Sequence, residues 1–408
     1  VSFTGGRCAF NLDATKMAFL PNMRLLNLGC DNSGTDAGIN GYSAGLGAIA
    51  LIKNIRIMDA RTELSAMRNV APYAMFKNFT STNDINQSLE SYLKLHKVGF
   101  EIDGTNNKVV HLYDPGYSNQ ATPAGGNPTH GAYVDLRQLL PVLNSIPLLP
   151  TSIFKNLRIE IEFNNKAVNQ VIAKTTPTLD MLRPILAVDY LDDDKIVSSM
   201  MGILTKGVQW NEIEWDNYQI PTGPTQTNPT DTNVQSTTNS SLGFRGKMLD
   251  RLLVCKTLVD IGLETTTGSV LGYGAVASSQ ALLNEKFQIR LNGKNVFPGH
   301  EGVSSPNQML GTVVDAYGDV QQYPGSNLYL WDQVPNILTD QNLTSQAAWD
   351  CCEIGARVAD LQLSISRTNN ADATAKKAPT NNAIQVNMYA EVRKVITFQN
   401  GGYSVIYV

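Results

Sequence analysis

Residues 156–163 read NLRIEIEF, Asn-Leu-Arg-Ile-Glu-Ile-Glu-Phe. Leu157, Ile159, Ile161 and Phe163 alternate with Arg158, Glu160 and Glu162, the period of a strand with one buried and one wet face. Such a strand cannot bury its apolar row alone. Its partners must come from elsewhere in the 408 residues, and their order along the chain decides the architecture.

A second stretch of the same kind, LQLSISR, places Leu361, Leu363 and Ile365 on one face, 204 positions on (157 to 361). LIKNIRI at 51–57 resembles MLDRLLV at 248–254, and FEIDGTNNKVV from Phe100 resembles FQIRLNGKNVF from Phe287; both members of the latter pair read as hairpins with an Asn/Gly turn. PILAVDYL at 184–191 has a counterpart in AIQVNMYAEVRKVITF at 383–398. Four blocks thus recur in one order at a spacing near 200, far longer than the unit of a solenoid or propeller. The expectation is two similar β-domains in tandem, residues 1–195 and 196–408, with Ile159 equivalent to Leu363 and Ile55 to Leu252.

Composition agrees with a β-rich chain. At 44.5 kDa it is too long for one ordinary core, and only 17% of its residues are charged. A net charge of -4 argues against a surface built to hold phosphate backbones, so direct sequence-specific nucleic-acid binding is not expected. No apolar run reaches membrane-spanning length. Cys8, Cys30, Cys255, Cys351 and Cys352 form no CxxC pair and read as reduced thiols. Two polar stretches, 114–132 and 221–243, read as long loops. Short helices are predicted near 62–79, 134–146 and 327–338, the second capped by Asp135 and shortened by Pro141. The domain boundary falls near 191–207.

Val134 to Asn165, VDLRQLLPVLNSIPLLPTSIFKNLRIEIEFNN, resembles a segment of the major capsid proteins of polinton-like viruses, adintoviruses and virophages. The residues that carry the resemblance are Asp135, Leu136, Arg137, Leu149, Pro150, Thr151, Phe154, Lys155, Asn156, Leu157 and Arg158. NGKNVFPG at 292–299 is a second, weaker point of similarity. The resemblance implies an all-β double jelly roll: two tandem eight-stranded antiparallel sandwiches with short helices and long polar loops. It also implies a homotrimeric, pseudo-hexagonal capsomer of an icosahedral DNA-virus shell, located in the virion. Its partners would be further copies of itself, penton and minor capsid proteins, and in some members an internal membrane beneath the shell.

Residues able to carry chemistry are few. Asp192, Asp193 and Asp194 form an acidic run, and Glu212, Glu214 and Asp216 alternate in NEIEWD. Period 2 places Glu212 and Glu214 on a solvated strand face opposite Ile213 and Trp215. His96, His111, His130 and His300 lack metal-ligand spacing, and no GxSxG, P-loop or dinucleotide fingerprint occurs. Asn78, Asn86, Asn239 and Asn342 match the glycosylation pattern, as expected by chance in an Asn- and Thr-rich chain. No catalytic, cofactor or metal site is expected, and the chain reads as a structural protein rather than an enzyme. A carbohydrate- or receptor-binding β-sandwich is the alternative, with its polar loops or Trp210, Trp215, Trp331 and Trp349 as the recognition surface.

Overall fold

Leu157, Ile159, Ile161 and Phe163 are buried, with Arg158, Glu160 and Glu162 half-buried on the opposite face of their strand. The computed structural model describes residues 2–4, 6–28, 30–31, 41–43, 52–70, 73, 97–103, 108–113, 132–140, 142–145, 148–163, 171–172, 180–181, 183–222, 235–258, 285–296, 315–316, 349–368 and 384–408. Strands dominate both halves. The first half contains β1 (Ser2–Thr4), β2 (Arg7–Asn11), β3 (Met17–Leu28), β4 (Cys30–Asp31), β5 (Gly41–Ser43), β6 (Ile52–Asp59), β7 (Thr62–Arg68) and β8 (Lys97–Asp103). It continues with β9 (Lys108–Tyr113), β10 (Ala132–Asp135), β11 (Leu148–Pro150), β12 (Leu157–Phe163), β13 (Val171–Ile172), β14 (Asp180–Met181) and β15 (Ile185–Leu191). After helix α2 (Asp194–Thr205) come β16 (Val208–Thr222), β17 (Gln235–Ser241), β18 (Met248–Leu258), β19 (Glu285–Leu291) and β20 (Lys294–Asn295). The last strands are β21 (Trp349–Arg357), β22 (Leu361–Thr368), β23 (Ile384–Gln399) and β24 (Gly402–Tyr407).

Every described strand pairing joins two strands of the same half, and every one is antiparallel. In the second half the sheets run β16-β23-β18-β21 and β17-β22-β19-β20, with β24 added along β23. Four strands face four, the layer pattern of a jelly roll. In the first half β2-β12-β6-β7 repeats the order of β17-β22-β19-β20. The long strand β3 is flanked by β15 on one edge and by β10 and β11 on the other, as β18 is flanked by β23 and β21. These matching strands also follow the same sequence order in both halves, so the tandem organisation is present in the topology.

The equivalences expected from sequence are half right. Ile159 and Leu363 occupy matching strands: Ile159 faces Ile57 across β12 and β6, as Leu363 faces Ile289 across β22 and β19. The pairing of Ile55 with Leu252 is wrong, because β6 borders β12 whereas β18 lies in the other sheet from β22. The true counterpart of β6 is β19. Each is followed by a two-residue turn into the next strand, Asp59 facing Thr62 around Ala60–Arg61 and Leu291 facing Lys294 around Asn292–Gly293. The hairpin β8–β9 forms as predicted, but it lies in a different sheet from β12, so its likeness to β19–β20 is local. Apolar alternation specifies that a strand has a core face without specifying which sheet receives it.

Among the predicted helices, 62–79 begins instead as β7, whose Ser65, Ala66 and Met67 are buried against β6 and the seam described below. The 134–146 helix is two pieces, Leu136–Gln138 capped by Asp135, which accepts from the Arg137 N–H, and α1 (Val142–Ser145); proline at 141 separates them. The region 327–338 lies outside the described residues. Helix α2, absent from the sequence expectation, occupies the predicted boundary. The stretch 221–243 is not one loop: Gln235–Ser241 is β17, paired along β22 from Gln235–Thr368 to Ser241–Gln362. Of the glycosylation matches, Asn239 lies in β17, and Asn78, Asn86 and Asn342 lie outside the described residues.

Candidate functional site

The two halves meet where β7, the edge of one sheet, runs against β16 of the other half. An edge strand presents unpaired backbone groups that must be satisfied if buried. Here side chains from the second half satisfy them. Glu214 of β16 accepts from the Ala66 N–H at 3.0 Å, and Lys394 of β23 donates to the Leu64 carbonyl. Lys394 also donates to Glu214, so one buried ion pair stands in for a neighbouring strand at two successive outward-pointing backbone positions.

Glu212 and Glu214 therefore face the seam. Both are almost fully buried, while Ile213 between them is 40% exposed, which reverses the expected solvated face. The physical reason lies on the paired strand: Glu212 stands opposite Lys394 in the β16–β23 ladder, and Lys394 shares its face with Val392, Ile396 and Phe398, all buried. A lysine on the apolar row of EVRKVITF was the sequence signal for a buried cation awaiting carboxylates. Burial lowers the affinity of Lys394 for its proton, but Glu214 and Glu212 more than offset this and raise its pKa. Glu212 lies 3.0 Å from the Lys394 ammonium, an ion pair with no aligned hydrogen bond on either carboxylate oxygen. Burial pushes its carboxyl up to about 7, against the opposing pull of Lys394.

Around this polar centre the seam is aromatic. Tyr73 packs on Trp215 at 4.9 Å and on Tyr389 at 5.7 Å, and Phe154 contacts Tyr403 at 4.8 Å and Phe398 edge-on at 6.0 Å. Polar anchors fix the register: Asn69 donates to Asn387 at 2.7 Å, the Tyr389 hydroxyl donates to the Asn69 carbonyl, and the Tyr403 hydroxyl donates to Asp59 at 2.8 Å. Asp59 also accepts from the Asn156 N–H at 2.7 Å, joining the end of β6, the segment before β12 and the C-terminal hairpin. This explains one part of the family-like segment: Phe154 packs on the second half, and Asn156 holds Asp59, which accepts from Tyr403 of the second half.

Asp192, Asp193 and Asp216 have structural roles, and Asp194 lies in the first turn of α2. Asp193 caps α2, accepting from the N–H groups of Lys195 and Ile196, Asp192 pairs with Lys16 at 3.0 Å, and Asp216 is held by Lys247. Glu160 and Glu162 on the outer face of β12 are bridged by Arg56, Arg158 and Lys53 around a depression of about 290 Å³. Trp210 packs on Phe398 with tilted rings at 4.3 Å and so belongs to packing, as Trp215 does. The side chains of His111 and Trp349, and residues His96, His130, His300 and Trp331, lie outside the described set. Among the described residues, no three His, Cys, Asp or Glu side chains converge on one point.

No protein-family model matches the chain, and no curated protein does. Solved structures do. A chain of the Sputnik virophage cryo-EM structure aligns over 100% of this chain and 86% of its own length, with a TM-score of 0.55 at 11% identity. The mavirus major capsid protein aligns over 98% of this chain and 87% of its own, with a TM-score of 0.56 at 11% identity. Sequence identity this low carries likeness of fold alone. With the repeated strand order above, it makes the chain an all-β double jelly roll.

Proposed function

We propose that this double jelly roll is a major capsid protein, a structural subunit of an icosahedral DNA-virus shell whose place is the virion. The observation that carries the reading is the duplicated strand order, aligned nearly end to end with the mavirus major capsid protein. Residues 1–195 and 196–408 are read as the two jelly rolls, joined by α2, which the cut enters in its first turn. Support comes from strand pairings that stay on either side of it.

In this reading the mechanism is geometric. Two similar sandwiches per chain, repeated by a threefold axis, give six nearly equivalent blocks and a pseudo-hexagonal outline. Closed symmetry makes the trimer self-limiting until capsomers meet edge to edge. Partners are other copies, and penton and minor capsid proteins at vertices and seams. In this reading the chain is structural rather than catalytic: the carboxylates Glu212 and Glu214 are enclosed with Lys394 as part of the seam between the sandwiches.

Sedimentation of the purified chain tests this. Three copies of the 44.5 kDa chain, about 134 kDa, should run as one species, with hexagonal outlines in negative stain. A stable monomer across micromolar concentrations would overturn the capsomer reading.

A further inference from the structure

We propose that Glu212 is a proton-operated latch on the seam between the sandwiches: protonated, it leaves Lys394 and Glu214 as a balanced pair and the seam tight; ionised, it adds a second negative charge to one lysine, with no aligned hydrogen bond, and loosens the seam. This inference rests on the contact between the two halves and does not depend on the shell reading.

The geometry sets the asymmetry between the two glutamates. Both lie on one face of β16 and both approach the same ammonium, and the side chains of Glu212 and Lys394 are each 1% exposed. Glu214 accepts from Lys394 and from the Ala66 N–H, so its charge is satisfied. Lys394 commits one N–H to Glu214 and a second to the Leu64 carbonyl, and its third is not aligned on Glu212. Glu212 is left with an ion-pair distance but no aligned donor on either oxygen. One lysine cannot neutralise two carboxylates, and a buried charge without hydrogen bonds favours its neutral form.

Among the described residues, the other groups packed on this centre do not supply the missing charge. From β24 the Tyr407 hydroxyl reaches Glu214 at 3.4 Å and its ring lies 5.7 Å from the Lys394 ammonium. From β7, Arg68 is paired with Glu63, and Ser65 has a buried hydroxyl with no hydrogen-bond partner. Asp216 on the same strand is held by Lys247. Helix α1 carries no ionisable residue, and α2 contributes Asp194 and Lys195 in its first turn. A protonated Glu212 gives the Lys394–Glu214–Glu212 set zero net charge.

The sign follows from linkage. The carboxyl titrates near 4.5 when unfolded and near 7 when folded, so between those values the folded chain binds more protons than the unfolded one. The stabilisation is fully present below about 4.5 and is lost as pH rises through about 7. The ceiling on the change in the opening equilibrium is on the order of a hundredfold.

Hydrogen exchange of the Ala66 amide, whose donor bond to Glu214 reports the seam, tests this on the full chain. In the native protein the Ala66 protection factor should fall at least about tenfold between pH 5.5 and 8, while in Glu212→Gln it should stay level and exceed the native value at pH 8. An equal slope in Glu212→Gln and the native chain overturns the latch. Should Glu212→Gln fail to fold, the native chain alone decides: an Ala66 protection factor that holds steady or rises from pH 5.5 to 8 also overturns it.

Discussion

Lys394 in the second sandwich hydrogen-bonds the backbone carbonyl of Leu64 in the first, 330 residues away. The side chain that holds Glu214 thus also seals the free edge of β7. Replacing Lys394 with Met removes the cation but not the need for it. Glu214 is left buried and unpaired, and the Leu64 carbonyl loses its donor. The expected cost is about 3–5 kcal/mol in urea unfolding. The triple variant Lys394→Met, Glu212→Gln, Glu214→Gln should recover most of that loss, since removing a whole buried charge set is far cheaper than removing one member. A single substitution as mild as the triple would show that the seam is hydrated rather than enclosed.

Tyr403 ties β24 to the turn after β6 through Asp59. Burial, reinforced by the hydrogen bond to Asp59, pushes its phenol up to about 12 from an ordinary 10. A raised folded-state pKa gives stability that is complete below pH 10 and lost as pH rises toward 12. Tyr403→Phe should cost about 1 kcal/mol at pH 8, because Asp59 keeps the Asn156 N–H as a donor. Its alkaline unfolding should show a shallower decline between pH 10 and 12 than the native chain. Parallel profiles across that window would place the phenol in water.

Deleting Gln235–Ser241 should abolish soluble folding. Its composition, QSTTNSS, suggests an expendable loop, but all seven residues pair along β22 and cover the edge beside Leu363. Exposure of the Leu361–Thr368 edge would leave a paired-sheet template open to aggregation. Soluble protein of unchanged midpoint after this deletion would mean that the edge needs no cover.

These cases mark what was legible in the sequence. The rows of Leu157–Phe163 and Leu361–Ile365 were readable because one face of each strand is apolar and the other polar. β17 was not, since an edge strand of Ser, Thr, Asn and Gln has no apolar row to betray it. Glu212 and Glu214 were misplaced because strand periodicity fixes which residues share a face, and their burial was decided by Lys394, 182 positions away in sequence (212 to 394). Ile55 was matched to the wrong strand because alternation carries no label for its sheet. Sheet membership depends on long-range pairing, and β6 and β18 have similar apolar rows with different neighbours.

The weaker of the two family-like motifs, NGKNVFPG, has a structural reason at its first two residues. Asn292 and Gly293 form the two-residue turn between β19 and β20, with φ of 51° and 82°. Gly293 supplies left-handed backbone without a Cβ, so Gly293→Ala should cost about 1 kcal/mol through strain. Asn292 does more. Its side-chain oxygen accepts from the N–H groups of Ala359 and Asp360 at 2.8 and 3.0 Å, and its amide donates to the Arg357 carbonyl at 3.1 Å. The turn of one hairpin is thereby pinned to the connection between β21 and β22, which lie in opposite sheets of the second sandwich. Asn292→Gly keeps the backbone conformation but loses these three bonds, so thermal unfolding should show a cost of about 1–3 kcal/mol, the range for leaving partners of a partly exposed site unsatisfied. Asn292→Ala loses the bonds and strains the turn as well, and should be the least stable of the three variants. If Asn292→Gly were instead as stable as the native chain, the asparagine would serve only its own backbone angle, and the link between the two sheets at this end would have to lie elsewhere.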